Sequence, residues 1–181
     1  MEKILLLSGA IGAGKSSVAK ALGERYEFQR ISSSGYLKTY GEKICPGEER
    51  HQLQNLGDRL DEETDFIWIV RDVAIPAIKM APEIDNWLLD AVRKPRQVMH
   101  FREHFGRKVH HAHLTAPEEV LQYRYRQRAE PEDTTYEEAI KHSNEIAARS
   151  LQGIANETFD TTQLSPVDIA ERVMRSWNDK L

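Results

Sequence analysis

The stretch that most constrains this chain is Gly9-Ala10-Ile11-Gly12-Ala13-Gly14-Lys15-Ser16, which fits G-x-x-x-x-G-K-[ST] at every fixed position. Its flanks give the pattern a context. Residues 4–7 form an apolar run of strand length, and Val18, Ala19, Ala21 and Leu22 follow at helical spacing. Strand, glycine loop, helix is a phosphate-binding arrangement. Glycines let successive backbone N–H groups converge on phosphate oxygens, and the helix N-terminus favours their charge. In it, Lys15 reaches the β- and γ-phosphates of ATP, the Ser16 hydroxyl ligates Mg²⁺, and Ser17 completes the cradle. The bland alternative is a glycine turn beside an exposed lysine, and it leaves the flanking strand and helix unexplained.

Strand and helix signals alternate over the remaining chain. A first helix is expected over 16–24 and a short strand over 28–32, ending in a loop, Ser32 to Gly35, with helix-capping chemistry. Tyr36-Leu37-Lys38 opens the next helix, and 41–47 reads as a break. Leu53, Leu56 and Leu60 recur at helical spacing. Thr64 then precedes a helix with a broad apolar face from Phe66 to Ile78, which Pro76 kinks or ends. That face serves as core or, in part, as a homodimer surface.

Trp87-Leu88-Leu89 reads as a buried strand that Asp90 terminates, and Pro95–Phe105 as a helix closed by Gly106. A strand is expected over 108–114, then a capping box, Thr115-Ala-Pro-Glu118, opening a helix over Glu118–Arg128. After a polar break at 129–133, a second box at Thr135 starts a helix reaching about Ser150. A last strand over 157–161 and a helix from Ser165-Pro166, with Ile169, Val173 and Trp177 inward, complete the chain. This alternation is the pattern of a doubly wound α/β parallel sheet, which places ligands beyond the strand C-termini. The glycine loop, 33–36, Asp90 and Thr115 all fall there.

At 181 residues the chain suits one domain. A net charge of −4 argues against bulk binding to nucleic-acid polymers but allows a locally basic cleft for a phosphorylated small molecule. Cys45 is the lone cysteine, and no apolar run is long enough for a membrane span or a signal peptide. The cytoplasm is the expected compartment.

Three constellations accompany the loop. Asp90 is placed to serve the metal or the attacking group, with a turn or cap role as the alternative. Arg93, Lys94 and Arg96 follow it and suit an acceptor phosphate, with Gln97 reading an amide or ring edge; a solvated basic helix start is the alternative. Arg124 and Arg128 stand on one helical face before the polar break and suit a lid that closes over the transferring phosphoryl group. Equally, they suit a surface cluster paired with Glu130, Glu132 and Asp133. His110, His111 and His113 invite a metal reading, but satisfied or half-exposed histidines fit better because no cysteine or acid lies near.

Taken together, these residues resemble the P-loop nucleoside monophosphate kinase superfamily, nearest to deoxynucleoside monophosphate kinases and dephospho-coenzyme A kinase-like proteins. Ser33, Gly35, Tyr36 and Lys38 are similar to the start of that family's acceptor helix. Asp90-x-x-Arg93-x-x-x-Gln97 is similar to its acceptor motif, with Ala91 in place of the usual glycine, and Arg124-x-x-x-Arg128 to its lid-entry arginines. The resemblance implies a three-layer P-loop NTPase fold over 1–181, built on a five-stranded parallel sheet. It also implies a helical acceptor insertion over about 33–80 and a short lid over about 124–137. The implied activity is transfer of the ATP γ-phosphoryl group, with Mg²⁺, to a small phosphorylated acceptor, foremost a nucleoside or deoxynucleoside monophosphate. Dephospho-coenzyme A, a sugar or a sugar-nucleotide, as in zeta-toxin-like kinases, is the alternative acceptor. An ATP-binding switch protein is the alternative from another class.

Overall fold

Six of the seven residues of β1 (Lys3–Gly9) are buried, on both faces of the strand. Only a central strand of a sheet covered on both sides achieves that. The computed structural model describes residues 3–44, 50–128 and 134–178. After β1 come α1 (Lys15–Tyr26), β2 (Gln29–Arg30), α2 (Ser33–Ile44) and α3 (Arg50–Glu63). A π-helical stretch, Ile69–Ala74, runs directly into α4 (Ile75–Met80), followed by β3 (Asn86–Leu89) and α5 (Pro95–Phe105). Then follow β4 (Val109–Thr115), α6 (Glu118–Arg128), α7 (Tyr136–Ala139), α8 (Ser143–Ser150), β5 (Glu157–Asp160) and α9 (Pro166–Asn178).

All pairings are parallel, in the order β2-β3-β1-β4-β5. This is the expected five-stranded α/β fold of P-loop NTPase type. The chain leaves β1 towards β2 on one side and reaches β4 and β5 on the other, so the order reverses at β1. Its C-terminal end is the crevice where such sheets bind ligands. Leu5 and Leu7 pack under α1, α6 and α9, whereas Ile4 and Leu6 pack under α3, the π-helical stretch and α5. Three layers result. Trp68, Trp87 and Trp177 are core, as their apolar surroundings predict.

Several expectations need correction. Gly41 does not break α2, which continues to Ile44; residues 45–47 of the expected break lie outside the described residues. Pro76 does not end its helix, which runs on to Met80. Its missing N–H and bulky ring fall where the wider π-turns pass into α4, in that helix's first turn. Ile69, Val70, Val73, Ala74 and Ile78 are buried within this one chain, so the middle of the broad apolar face is core. Thr115 does not cap α6; it ends β4, and its hydroxyl donates to the Phe159 carbonyl at 3.3 Å. The helix from Thr135 is interrupted. Its capping box forms as expected, but His142 turns extended and its ring nitrogen accepts the Asn144 N–H at 3.2 Å, starting α8 in a new direction.

The three histidines of β4 are buried rather than half-exposed, and, against the expectation that no acid lies near, His110 Nε2 stands 3.5 Å from the Glu157 carboxylate. His111 and His113 share one face, and Nε2 of the first and Nδ1 of the second meet the Ser8 hydroxyl, at 2.7 and 2.8 Å. His110, on the other face, lies against the Trp177 ring with centroids 5.2 Å apart. No group of three or more metal-ligating side chains occurs among the described residues. Nor is any described helix long and apolar enough to cross a membrane.

Burial, reinforced by Arg102 for His111 and by Lys15 for His113, pushes these two rings down to about 3 and about 4. Below the ordinary histidine value of ~6.5 the unfolded chain therefore binds more protons than the native one. Stability should be full above that pH and decline as acid is added. Thermal melts between about pH 7 and pH 5 should show a falling Tm, with a shallower slope in His113→Gln. An unchanged slope in that variant would remove His113 from the account.

Candidate active site

The loop after β1 keeps its shape because two glycines allow contacts no other residue permits. Gly9 and Gly12 have φ of +143° and +83°. A Cβ on Gly9 would stand 2.5 Å from the Leu114 carbonyl oxygen of β4, and one on Gly12 2.6 Å from that of Leu121 in α6. The loop is thus pressed onto two other elements at the end of the central strand. From there α1 begins, and its first-turn amides lack intrahelical acceptors, as at any helix start. Those amides and the helix dipole make the loop an anion site.

Lys15 lies across this loop. Its Nζ donates to the carbonyls of Gly9 at 2.6 Å and Ala10 at 2.9 Å. Burial pushes the ammonium down to about 8, opposed by the Glu145 carboxylate, aided by the Arg93 and Arg128 guanidiniums and opposed again by Asp90. One ammonium therefore senses charges from both sides of the crevice.

On one side opens a cavity of about 460 Å³, the size of a small-molecule site. Gly12, Gly14, Lys15, Ser16 and Ser17 form its phosphate wall. Leu164, Pro166 and Ile169, from the turn into α9, form an apolar wall suited to a flat ring, and Arg124 and Arg128 of α6 complete the lining. Arg124 is fixed in place, donating to the Thr161 hydroxyl at 2.8 Å and the Thr161 carbonyl at 3.0 Å. The Arg128 guanidinium lies 5.7 Å from the Tyr125 ring centre and has no carboxylate partner among the described residues. Residues 129–133 of the expected lid, including Glu130, Glu132 and Asp133, lie outside the described residues.

On the other side stands Asp90, directly after β3, paired with Arg30 of β2. Arg93 is exposed just beyond it. Ser33 opens α2, where the Gly35 N–H donates to the Ser32 hydroxyl at 3.0 Å. The Tyr36 ring stacks on Tyr40 at 5.6 Å and tilts against Trp68 at 5.7 Å. Lys38 is exposed on the same helix. Gln97 is placed differently from its expected role. It is 4% exposed, and its amide oxygen accepts the N–H groups of Arg93 at 3.1 Å and Lys94 at 3.2 Å. The start of α5 has unpaired donors, and Gln97 satisfies them rather than facing a ligand.

The structure adds Arg30, Glu145, Thr161 and the apolar wall to the residues named from sequence. The strand order is what sets Arg30 beside Asp90, since β2 pairs with β3 through Arg30 and Leu88. Glu145 accepts the Ile11 N–H at 2.7 Å across 134 positions of sequence, a separation that no local signal reveals.

A phosphate group beside Lys15 would raise its pKa from about 8. Binding of ADP at about pH 8.5 should therefore take up protons, and calorimetry in buffers of differing ionisation enthalpy reads the number. Lys15→Met should bind more weakly and without the uptake; uptake of equal size in that variant would exclude Lys15 as its source.

Comparison with known proteins agrees with this geometry. The AAA_18 family model, described as an AAA domain, matches residues 5–147. No curated protein sequence matches the chain. Among solved structures, the chain is similar to shikimate kinase from Acinetobacter baumannii in complex with shikimate (16% identity, TM-score 0.57, 99% of this chain and 95% of that one). It is similar to a sugar kinase from Janibacter sp. (15%, TM-score 0.55, 99% and 95%). A third is deoxyadenosine kinase from M. mycoides (13%, TM-score 0.52, 97% and 99%). At such identities the likeness establishes the fold and nothing finer. With the family model covering most of its length and its loop seated at the switch point of the sheet, the chain belongs to the AAA domain family of P-loop proteins.

Proposed function

We propose that this protein is an ATP-dependent phosphotransferase that moves the γ-phosphoryl group to a small phosphorylated acceptor, foremost a nucleoside or deoxynucleoside monophosphate. The observation that carries the reading is the position of Lys15. It is flanked by the cavity with Arg124 and Arg128 on one side, and it senses Asp90 and Arg93 on the other. A nucleotide switch needs the first half of that arrangement; a transferase needs both.

ATP would lie in the 460 Å³ cavity, its base against Leu164 and Pro166 and its phosphates on the loop amides. Ser16 lines that cavity and fits the role of Mg²⁺ ligand; bound there, the ion would screen the charge between the β- and γ-phosphates. Lys15, Arg124 and Arg128 would balance the charge that spreads over the transferring group. A monophosphate acceptor attacks through an oxygen that is already deprotonated. The bond from the γ-phosphorus to the β-bridging oxygen breaks, and ADP departs with that electron pair. Asp90, oriented by Arg30, would then position the acceptor rather than remove a proton, while Arg93, Lys38, Ser33 and Tyr36 would hold it. The helices over 33–80 would form the acceptor insertion, and 124–137 the lid.

The solved kinases of this fold are named for chemically different substrates, shikimate and sugars among them. Charge favours an anionic acceptor over a neutral sugar: the exposed Arg93, three residues after Asp90, offers a site for a phosphate.

ADP release should be followed with ATP and a panel of ribo- and deoxynucleoside monophosphates, dephospho-coenzyme A, shikimate and free sugars. Stimulation by a monophosphate is expected. Stimulation by non-nucleotide acceptors alone would sink the nucleotide assignment, and hydrolysis that ignores every acceptor would favour the switch reading. Lys15→Ala should lower turnover by about 10²–10³-fold with a small change in Tm; turnover near that of the unaltered protein would count against the whole assignment.

A further inference from the structure

The first turn of α8 touches both halves of the site, and neither its sequence nor the phosphotransfer chemistry accounts for it. Asn144 is 6% exposed, and its side-chain amide donates to the Asp58 carboxylate of α3 at 3.1 Å. The next residue, Glu145, reaches the opposite way. Its Oε1 accepts the Ile11 N–H of the phosphate loop at 2.7 Å. Ile11 is not among the residues lining the nucleotide cavity, while the Glu145 carboxylate is near enough to Lys15 to oppose the lowering of its pKa.

The helix carrying these two residues is anchored. Arg149, one turn further on, lies 3.4 Å from the Glu145 carboxylate through Nε, donates to Glu118 of α6 at 2.7 Å, and donates to the Tyr136 hydroxyl of α7 at 3.2 Å. The Tyr136 hydroxyl in turn donates to Glu118 at 2.7 Å. A helix fixed to α6 and α7, with adjacent residues reaching in two directions, forms a mechanical link.

We infer that the first turn of α8 is a clasp, in which Glu145 positions the phosphate loop through the Ile11 amide and Asn144 ties that same turn to α3 through Asp58. Glu145 is a positioning residue: its contact is with the loop backbone. The charge-assisted bond between the Ile11 N–H and the largely buried Glu145 carboxylate fixes the peptide plane next to Gly12. In the phosphotransferase reading, on which its functional meaning rests, the clasp would let a shift of the insertion on acceptor binding alter the loop that holds ATP. Such coupling is reciprocal, so the nucleotide would also alter the acceptor side.

The test uses the full chain without ligand. Exchange of the Ile11 amide, read by NMR on ¹⁵N-labelled protein, should rise about tenfold in Glu145→Ala and stay closer to the unaltered rate in Glu145→Gln, which keeps an acceptor oxygen. Asp58→Ala, which leaves both α8 side chains in place, should raise it about threefold. Thermal melts verify that each variant is folded, and rescue by glutamine separates a specific bond from general loosening. The Kd for ADP should weaken in the order Gln, then Ala. An Ile11 amide as slow in Glu145→Ala as in the unaltered protein overturns the clasp, and so does one that responds to Glu145→Ala but not to Asp58→Ala. Because amide exchange needs no nucleotide, a protein that passes this test yet binds neither ADP nor ATP keeps the clasp and loses the phosphotransferase reading.

Discussion

A lysine ammonium held against two backbone carbonyls at the end of a buried strand is the interaction on which the rest of this structure depends. Lys15 can donate to Gly9 and Ala10 only because the loop doubles back over β1. The loop doubles back only because Gly9 and Gly12 lie against the backbones of β4 and α6 with no space for a side chain. Burial makes the ammonium costly to keep charged, which is why it is pushed down to about 8. An incoming phosphate would relieve that cost. The loop is therefore built in advance for a ligand that is anionic at the same spot.

Around this centre the charges are divided by element. Arg124 and Arg128 come from α6 and face the cavity, whereas Asp90, Arg30 and Arg93 come from the ends of β3 and β2 and the turn after β3. Each group sits at or near a strand C-terminus, where a parallel sheet gathers residues far apart in sequence. The solved kinases that share this fold are named for different substrates, so the fold alone does not fix which molecule is phosphorylated.

Much of this architecture was legible from residue patterns. The strand–loop–helix opening, the buried Trp87–Leu89 run, the Pro95 start and Gly106 end of α5, the capping box at Thr135 and the inward face of α9 all rest on neighbours within a few positions. Such signals survive folding because the hydrogen bonds that create them are local. The mistakes arose where one residue type permits two competing local arrangements. Gly41 stayed helical, Pro76 found a place in a helix beginning after π-turns, and His142 split a helix by capping the next one. Gln97, read as a ligand-facing side chain, was taken by the unpaired donors of its own helix start.

By itself the sequence determined the phosphate loop, the alternation of strands and helices and the chemistry of Lys15, because glycine spacing, apolar periodicity and side-chain type are properties of adjacent residues. Only the tertiary structure decided what surrounds that lysine. The pairing of β2 with β3 set Arg30 on Asp90, the turn into α9 supplied the apolar wall and the Thr161 anchor for Arg124, and the reorientation at His142 carried Glu145 to the Ile11 amide. These contacts join residues tens to more than a hundred positions apart. Their geometry depends on strand order and helix direction, which no run of neighbouring residues encodes.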